Sequence, residues 1–342
     1  MPELRQDPTT KEWVVIASER ARRPEEFSAR PRPTASGSQG FQCPFCPGNE
    51  RLTPKEILAL RDSGAENTPG WRIRVIPNRF AAFTPGTNSQ SRDEGRLFHA
   101  KGAFGSHEVI IESPDHNRPL SLMDPSQIAE LFEVFRRRYD ILRDDRHVKL
   151  ILLFRNHGPA AGTSLAHPHS QLVAMPIIPA HIRNKYEVAI RHFDDTGRCL
   201  YCDVLEEERA AARRVVLDTP HFLVFHPFAS QVPFETWIVP KRHEPCFARI
   251  TSAELFELAG TLGRVLRSLY DALHDPDFNL IVHTAPIEDE DKPYFLWHIE
   301  IRPRLTTAAG FELGTGIYIN PAIPEDTALF FRSVLAGIQT GG

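Results

Sequence analysis

Glu108-Val-Ile-Ile-Glu-Ser-Pro-Asp-His116 returns in the second half of the chain as Glu235-Thr-Trp-Ile-Val-Pro-Lys-Arg-His243. Both stretches carry a glutamate, a β-rich centre, a proline, and a histidine eight positions after the glutamate. A Cys-x-x-Cys pair precedes each one, Cys43/Cys46 and Cys199/Cys202, and a further histidine follows each, His167 and His298. One such match means little, but the ordered set points to a duplicated structural unit. The surrounding pattern agrees. Strands are expected at 71–77, 107–113, 148–154 and 170–175 in the first half, after an N-terminal one at 12–18. In the second half they are expected at 214–217, 222–225, 234–240, 278–283 and 295–302. Between strands, 126–144 repeats Ile128, Leu131, Phe132, Phe135, Tyr139 and Leu142 at helical spacing, with Asp124 and Gln127 placed as a capping box. A second helix is expected at 252–273, capped by Thr251 and Glu254. Stretches 30–40 and 84–95 have the polar composition of surface loops. Each half thus reads as a Cys pair, strands, one long helix and two strands. The expected fold is α+β, two duplicated units with antiparallel sheets and flanking helices, divided as 1–190 and 191–342.

Length is consistent with that division, since 342 residues exceed a common single-domain size. Apolar residues make up 41% and charged residues 25%, the balance of a globular protein rather than a disordered or membrane-embedded one. A formal net charge of −4 argues against an electrostatic nucleic-acid binder or a basic membrane-surface patch. The apolar run near 150–154 falls far short of the roughly 20 residues that span a bilayer. The first residues lack the apolar centre of a secretory signal, so a cytoplasmic protein is expected. In a reducing compartment, four of five cysteines in two Cys-x-x-Cys pairs read as metal ligands rather than disulfides. The fifth, Cys246, reads as a small, partly buried apolar residue.

Cys43-Pro-Phe-Cys46 is a short turn able to aim two thiolates at one ion, and His116 and His167 complete the Cys2His2 set that zinc favours. The most informative segment is Asn156-His-Gly-Pro-Ala-Ala-Gly-Thr-Ser-Leu-Ala-His-Pro-His-Ser-Gln171. His167, His169 and Gln171 are two apart and would share one face of a strand. The glycine- and serine-containing run before them can bring backbone N–H groups close to a phosphate. A metal-bound imidazole has no lone pair left to attack phosphorus. With His167 as ligand, His169 is therefore the candidate nucleophile, its ring neutral and its other N–H held by an acceptor. Gln171 is placed to donate to a phosphoryl oxygen as charge builds there.

These segments resemble the galactose-1-phosphate uridylyltransferase family of the histidine-triad superfamily. The resemblance also rests on Arg5-Gln-Asp-Pro-Thr-Thr-Lys-Glu-Trp13, Arg20-Ala-Arg-Arg-Pro24, Ile76-Pro-Asn-Arg-Phe-Ala-Ala82, Ser113-Pro-Asp-His116 and Pro233-Phe-Glu-Thr-Trp-Ile-Val-Pro240. It implies two histidine-triad-like units and a covalent nucleotidyl intermediate on His169. Nucleotide and phosphate contacts would fall on Arg20, Arg23, Asn78, Asn156, Gly162, Ser164 and Gln171. The implied reaction is ping-pong uridylyl transfer from UDP-glucose to a hexose 1-phosphate, in galactose and nucleotide-sugar metabolism. A homodimer with active sites near the subunit interface is implied as well.

Two departures from that pattern bear on metal and acceptor. The family's second metal site uses a His-x-His strand, which here reads Trp297-His-Ile-Glu300. Cys199 and Cys202 are present instead, and with His243 and His298 they repeat the first ligand set, so a second zinc is expected, with His283 as rival fourth ligand. Near the C-terminus, Gly316 of Gly310-Phe-Glu-Leu-Gly-Thr-Gly316 stands where the galactose enzymes carry a hexose-binding glutamate. This version resembles a branch acting as an ADP-glucose phosphorylase, with inorganic phosphate as acceptor. The residues leave open uridine or adenine nucleotide, and a sugar phosphate or phosphate as acceptor. A histidine-triad hydrolase and a zinc-ribbon binding module are the readings from other classes. The second has no need of His-Pro-His-Ser-Gln.

Overall fold

The computed structural model of the chain describes residues 1–17, 24–27, 42–87 and 90–340. Arg20 and Arg23, and the loop at 30–40, lie outside the described residues. Strands run β1 (Glu3–Gln6), β2 (Trp13–Ile16), β3 (Leu58–Arg61), β4 (Trp71–Pro77), β5 (Ser91–Glu94), β6 (Phe98–Lys101), β7 (Ser106–Ile111), β8 (Leu150–His157) and β9 (His169–Met175) in the first half. They continue with β10 (Val215–Asp218), β11 (Phe222–Phe225), β12 (Thr236–Pro240), β13 (Phe278–His283), β14 (His298–Pro303) and β15 (Tyr318–Asn320). The helices are α1 (Pro125–Arg143), α2 (Ala180–Thr196), α3 (Leu200–Ala211), α4 (Ser252–Leu273), α5 (Gly310–Thr315) and α6 (Pro324–Thr340).

The duplication is visible in the order of the strands. One ten-stranded sheet runs β10-β11-β12-β14-β13-β8-β9-β7-β4-β3. Read outward from its centre, β8-β9-β7-β4-β3 and β13-β14-β12-β11-β10 are the same arrangement twice. The halves join through antiparallel pairing of β8 with β13, from His157 opposite Phe278 to Leu153 opposite Val282. Instead of two sheets side by side, the repeats share one continuous ladder, which removes an exposed edge from each. The expected division at 190/191 falls inside α2.

Both capping boxes form: Gln127 Oε1 accepts from Asp124 N at 3.2 Å, and Thr251 Oγ1 accepts from Glu254 N at 3.3 Å. The apolar stripes of α1 and α4 bury Leu131, Phe135, Leu262 and Val265 against Val75, Ile110, Leu153, Leu280 and Ile299 of the sheet. Cys246 is an apolar-packed residue of this core, fully buried rather than partly so. On the opposite sheet face α2 and α3 bury Tyr186, Tyr201 and Leu205 against Phe225, Trp237 and Val239. The polar stretch 84–95 is not all loop, since β5 pairs with β6 in an exposed hairpin. Helices α2 and α3 contain no proline, and α6 has one only at its first position, Pro324; the sequence reading does not include them because their apolar faces match sheet surfaces that only the fold assembles.

The repeated motif is displaced by one residue. Ile110 faces Ser170, and Ile238 faces Ile299. In this register Glu108 faces Leu172 while Thr236 faces Ile301, so Glu235 sits one residue before the place of Glu108. Glu108 accepts both nitrogens of buried Arg138 at 2.6 and 2.8 Å, whereas Glu235 accepts from Trp237 Nε1 and Gln231 N. A one-residue step reverses the face of a strand, which is why two matching glutamates do different work.

Candidate active site and metal centres

Cys43 and Cys46 sit on a turn closed by Cys46 N donating to Cys43 O. His116 follows β7, and His167 precedes β9. Their ligand atoms lie within 4.8 Å of one another. Cys46 Sγ is 3.4 Å from His116 Nδ1 and 3.6 Å from His167 Nδ1, and Cys43 Sγ is 3.9 Å from His167 Nδ1. Ligand bonds of roughly 2.0–2.3 Å in a tetrahedron place donors about 3.3–3.8 Å apart, so this donor set fits zinc. The distal N–H of His167 donates to Ser113 O at 2.8 Å, which leaves Nδ1 as the free lone pair. Burial holds the His167 ring neutral, pushing it down to about 4.

His169 begins β9 and is buried. Its Nδ1–H donates to His167 O at 2.8 Å, so Nε2 carries the lone pair. Burial is also the main force lowering its basicity, and Phe45 packs edge-on against the ring at 5.3 Å. His169 lines a cavity of ≈ 950 Å³ together with Asn156, His157, Ser164, Asn117 and Arg155. The far wall comes from the second half, from Tyr270 and Asp271 of α4 and the turn His274–Asp275. Both residues of that turn adopt positive φ, near 56°, and Asp275 Oδ1 is 2.7 Å from His157 Nε2.

The other expected contacts divide. Asn156 and Ser164 line the cavity. Gly162 ends the turn before it with φ 88°, a conformation that favours glycine. Gln171 and Asn78 lie further along the sheet face, not in the cavity wall. Gln171 Oε1 accepts from His107 Nε2 at 2.8 Å, and Asn78 Nδ2 is 3.5 Å from the same oxygen. Ala82 N donates to His107 Nδ1 at 3.2 Å, which assigns the ring proton to Nε2 and turns the Gln171 oxygen toward His107. Two functional candidates were missed in the sequence. His107 lies inside a β-rich run. Arg155 is buried, donates through Nε to Glu112 at 2.9 Å, and has an Nη1 with no hydrogen-bond partner among the described residues. Arg155 directly precedes Asn156, but nothing in the sequence distinguishes a buried arginine from a surface one.

In the second half, Cys199 caps α3 and Cys202 lies in its first turn. Their thiols and His243 form a group within 4.8 Å, with Cys202 Sγ 3.3 Å from His243 Nδ1. His298 is not in this group, which corrects the expected ligand set. Its ring stacks between Trp237 and His283, each at 4.7 Å. Its Nδ1 donates to Leu296 O at 3.0 Å. His283, the rival ligand, instead pairs with Glu300 at 2.7 Å. The reason is register: His298 opens β14 as His169 opens β9, so matching His298 to His167 was two residues out.

Residues 1–179 match the family described as "Galactose-1-phosphate uridyl transferase, N-terminal domain", and residues 182–315 match its C-terminal domain. The chain belongs to the galactose-1-phosphate uridylyltransferase family. It is therefore a nucleotidyltransferase-family enzyme with the duplicated α+β fold. Among relatives of this transferase, the ADP-glucose phosphorylase of Arabidopsis thaliana is 35% identical, over 97% of this chain and 93% of its own length. The galactose-1-phosphate uridylyltransferase of Thermotoga maritima is 32% identical, over 97% and 98% respectively. The crystal structure of an Arabidopsis thaliana ADP-glucose phosphorylase with bound ADP-glucose superposes with a TM-score of 0.81, at 33% identity, covering 97% of this chain and 99% of that one. A uridylyltransferase structure gives 0.76 at 27% identity, covering 99% of both chains. No described helix of this transferase is long and apolar enough to cross a membrane.

Proposed function

We propose that this transferase moves a nucleoside monophosphate from a nucleotide sugar to a phosphate acceptor through His169, with ADP-glucose as donor and inorganic phosphate as acceptor. The observation carrying the chemistry is the His169 ring at the cavity wall, its Nδ1–H tied to His167 O and its Nε2 lone pair unspent. Nε2 attacks the α-phosphorus, the bond to the bridging oxygen breaks, and the sugar 1-phosphate departs. An oxygen of the acceptor then attacks the phosphoramidate, the P–N bond breaks, and neutral His169 is restored. Arg155, whose Nη1 has no hydrogen-bond partner among the described residues, supplies fixed positive charge to phosphoryl oxygens. Gln171, its oxygen occupied by His107, is left with its amide N–H groups to donate. Zinc held by Cys43, Cys46, His116 and His167 would fix the His-Pro-His turn that aims His169.

Support for phosphate as acceptor comes from Gly316. It ends α5 with φ 74°, where a glutamate side chain would be strained, and residues 310–317 contribute nothing to this cavity's wall. A site built to bond a sugar hydroxyl rejects acceptors lacking it by about 10⁴-fold or more. Without such a carboxylate, phosphate should discharge the nucleotidyl-enzyme at a rate comparable to galactose 1-phosphate. The test forms nucleotidyl-His169, removes free donor, and chases with each acceptor. A preference for galactose 1-phosphate of about a hundredfold or more would overturn the phosphorylase reading. It would restore the second one, UDP-glucose with galactose 1-phosphate, which the Thermotoga maritima relative favours.

The His107 contact gives a further expectation. His107→Phe keeps the ring but removes the donor to Gln171, and should lower kcat by roughly 10- to 100-fold, below the 10²–10³ typical of deleting an oxyanion donor itself. Zinc content should not change. Steady-state kinetics with an unaltered kcat would show that Gln171 needs no anchoring.

A further inference from the structure

The two halves follow the same path where strand meets metal group. His169 Nδ1 donates to His167 O at 2.8 Å, and His298 Nδ1 donates to Leu296 O at 3.0 Å. Both histidines open the equivalent strand, β9 and β14. The residue in the place of His167 is therefore Leu296. Its side chain is buried in the same apolar cluster as Cys199 and Tyr201, with Cys202 packed against that cluster. An isobutyl group has no lone pair to offer. Among the described residues no other histidine, cysteine or carboxylate completes the group of Cys199, Cys202 and His243. The nearby Asp203 is held by Arg198 at 2.6 Å and His192 at 2.7 Å. The surroundings also differ: His167 at the first centre is fully buried, whereas His243 at the second is exposed and Cys202 half-buried.

We propose that Cys199, Cys202 and His243 bind a divalent zinc-type ion with three protein ligands, and that the fourth position is open to a small exogenous donor. Two thiolates and an imidazole select zinc or cobalt(II) over hard cations. Three protein ligands with one exchangeable position is the arrangement that separates open sites from closed structural ones. The second centre thus differs from the first in kind: it takes up water, a small thiol or an anion, and it exchanges its metal more readily. This holds whatever the acceptor used at His169, because it rests on residues outside that cavity.

The test uses the full chain reconstituted with cobalt(II), read by visible absorption. Wild type should bind about two equivalents, and a Cys199→Ser/Cys202→Ser variant about one, losing part of the thiolate-to-cobalt absorption. Added imidazole or a small thiol should shift only the component missing from that variant. Leu296→His supplies the absent imidazole; it should abolish the shift and slow cobalt loss to a chelator about tenfold or more. Should that variant fail to fold, the wild-type titration still decides. One equivalent in wild type, with a spectrum unchanged in the double variant, would overturn the site. Two equivalents with neither component responding to imidazole or thiol would overturn the open position.

Discussion

His169→Gly should lose covalent labelling by a nucleotide sugar by about a thousandfold or more, the scale seen when a nucleophile is deleted from a site whose other groups remain. The reason lies in how the ring is held. Its Nδ1–H is committed to His167 O at 2.8 Å, its Nε2 faces the cavity wall, and burial lowers its basicity. Three other imidazoles of the cavity wall are engaged elsewhere: His116 Nδ1 is 3.4 Å from Cys46 Sγ, His167 has one nitrogen among the thiols and the other on Ser113 O, and His157 Nε2 is 2.7 Å from Asp275. The ring supplies none of the four atoms of the metal group, so zinc content and the thermal transition should stay close to wild type. Labelling with radioactive donor, followed by acid treatment that cleaves a phosphoramidate, gives the readout. Labelling of the variant at normal stoichiometry would remove His169 from the reaction.

Loss of the first metal centre should have the larger structural effect. Cys43→Ser should lower both zinc content and the unfolding temperature, because the centre ties a turn near the N-terminus to residues after β7 and before β9. Structural zinc sites of this type contribute on the order of 10 kcal/mol at neutral pH, comparable to the whole stability of a domain. The local apolar cluster is small: Cys43, Phe45, Trp71, Ile76, Val109 and Ile111. It offers little to hold the turn once the donor set is broken. Activity should fall with it, since His167 O is the acceptor that orients His169. Thermal unfolding with and without a chelator, beside elemental analysis, checks this. A variant with full zinc and an unchanged transition would show that the four residues do not act as a centre.

Much of the site was legible in the chain because its signals are local. Two cysteines three positions apart share a turn, and histidines two apart share a strand face; such relations follow from backbone geometry within a few residues. The helices at 126–144 and 252–273 were legible for the same reason, having both apolar periodicity and caps. Duplication was legible as an ordered series of residue types. Tertiary structure alone decided the relations that depend on register between distant strands. Glu235 matches Glu108 in sequence but falls one residue from its place, and His298 matches His167 but takes the place of His169. Strand side chains alternate, so a slip of one residue reverses the face, and a slip of two exchanges a metal ligand for the candidate nucleophile's position. Which histidine meets a thiol is therefore fixed by hydrogen-bonded pairing across the sheet. So are the roles of His107 and Arg155, whose partners Gln171 and Glu112 arrive from other strands. The sequence by itself determined which chemistry the chain carries; long-range register decided that one Cys-x-x-Cys pair is joined by two histidines and the other by one.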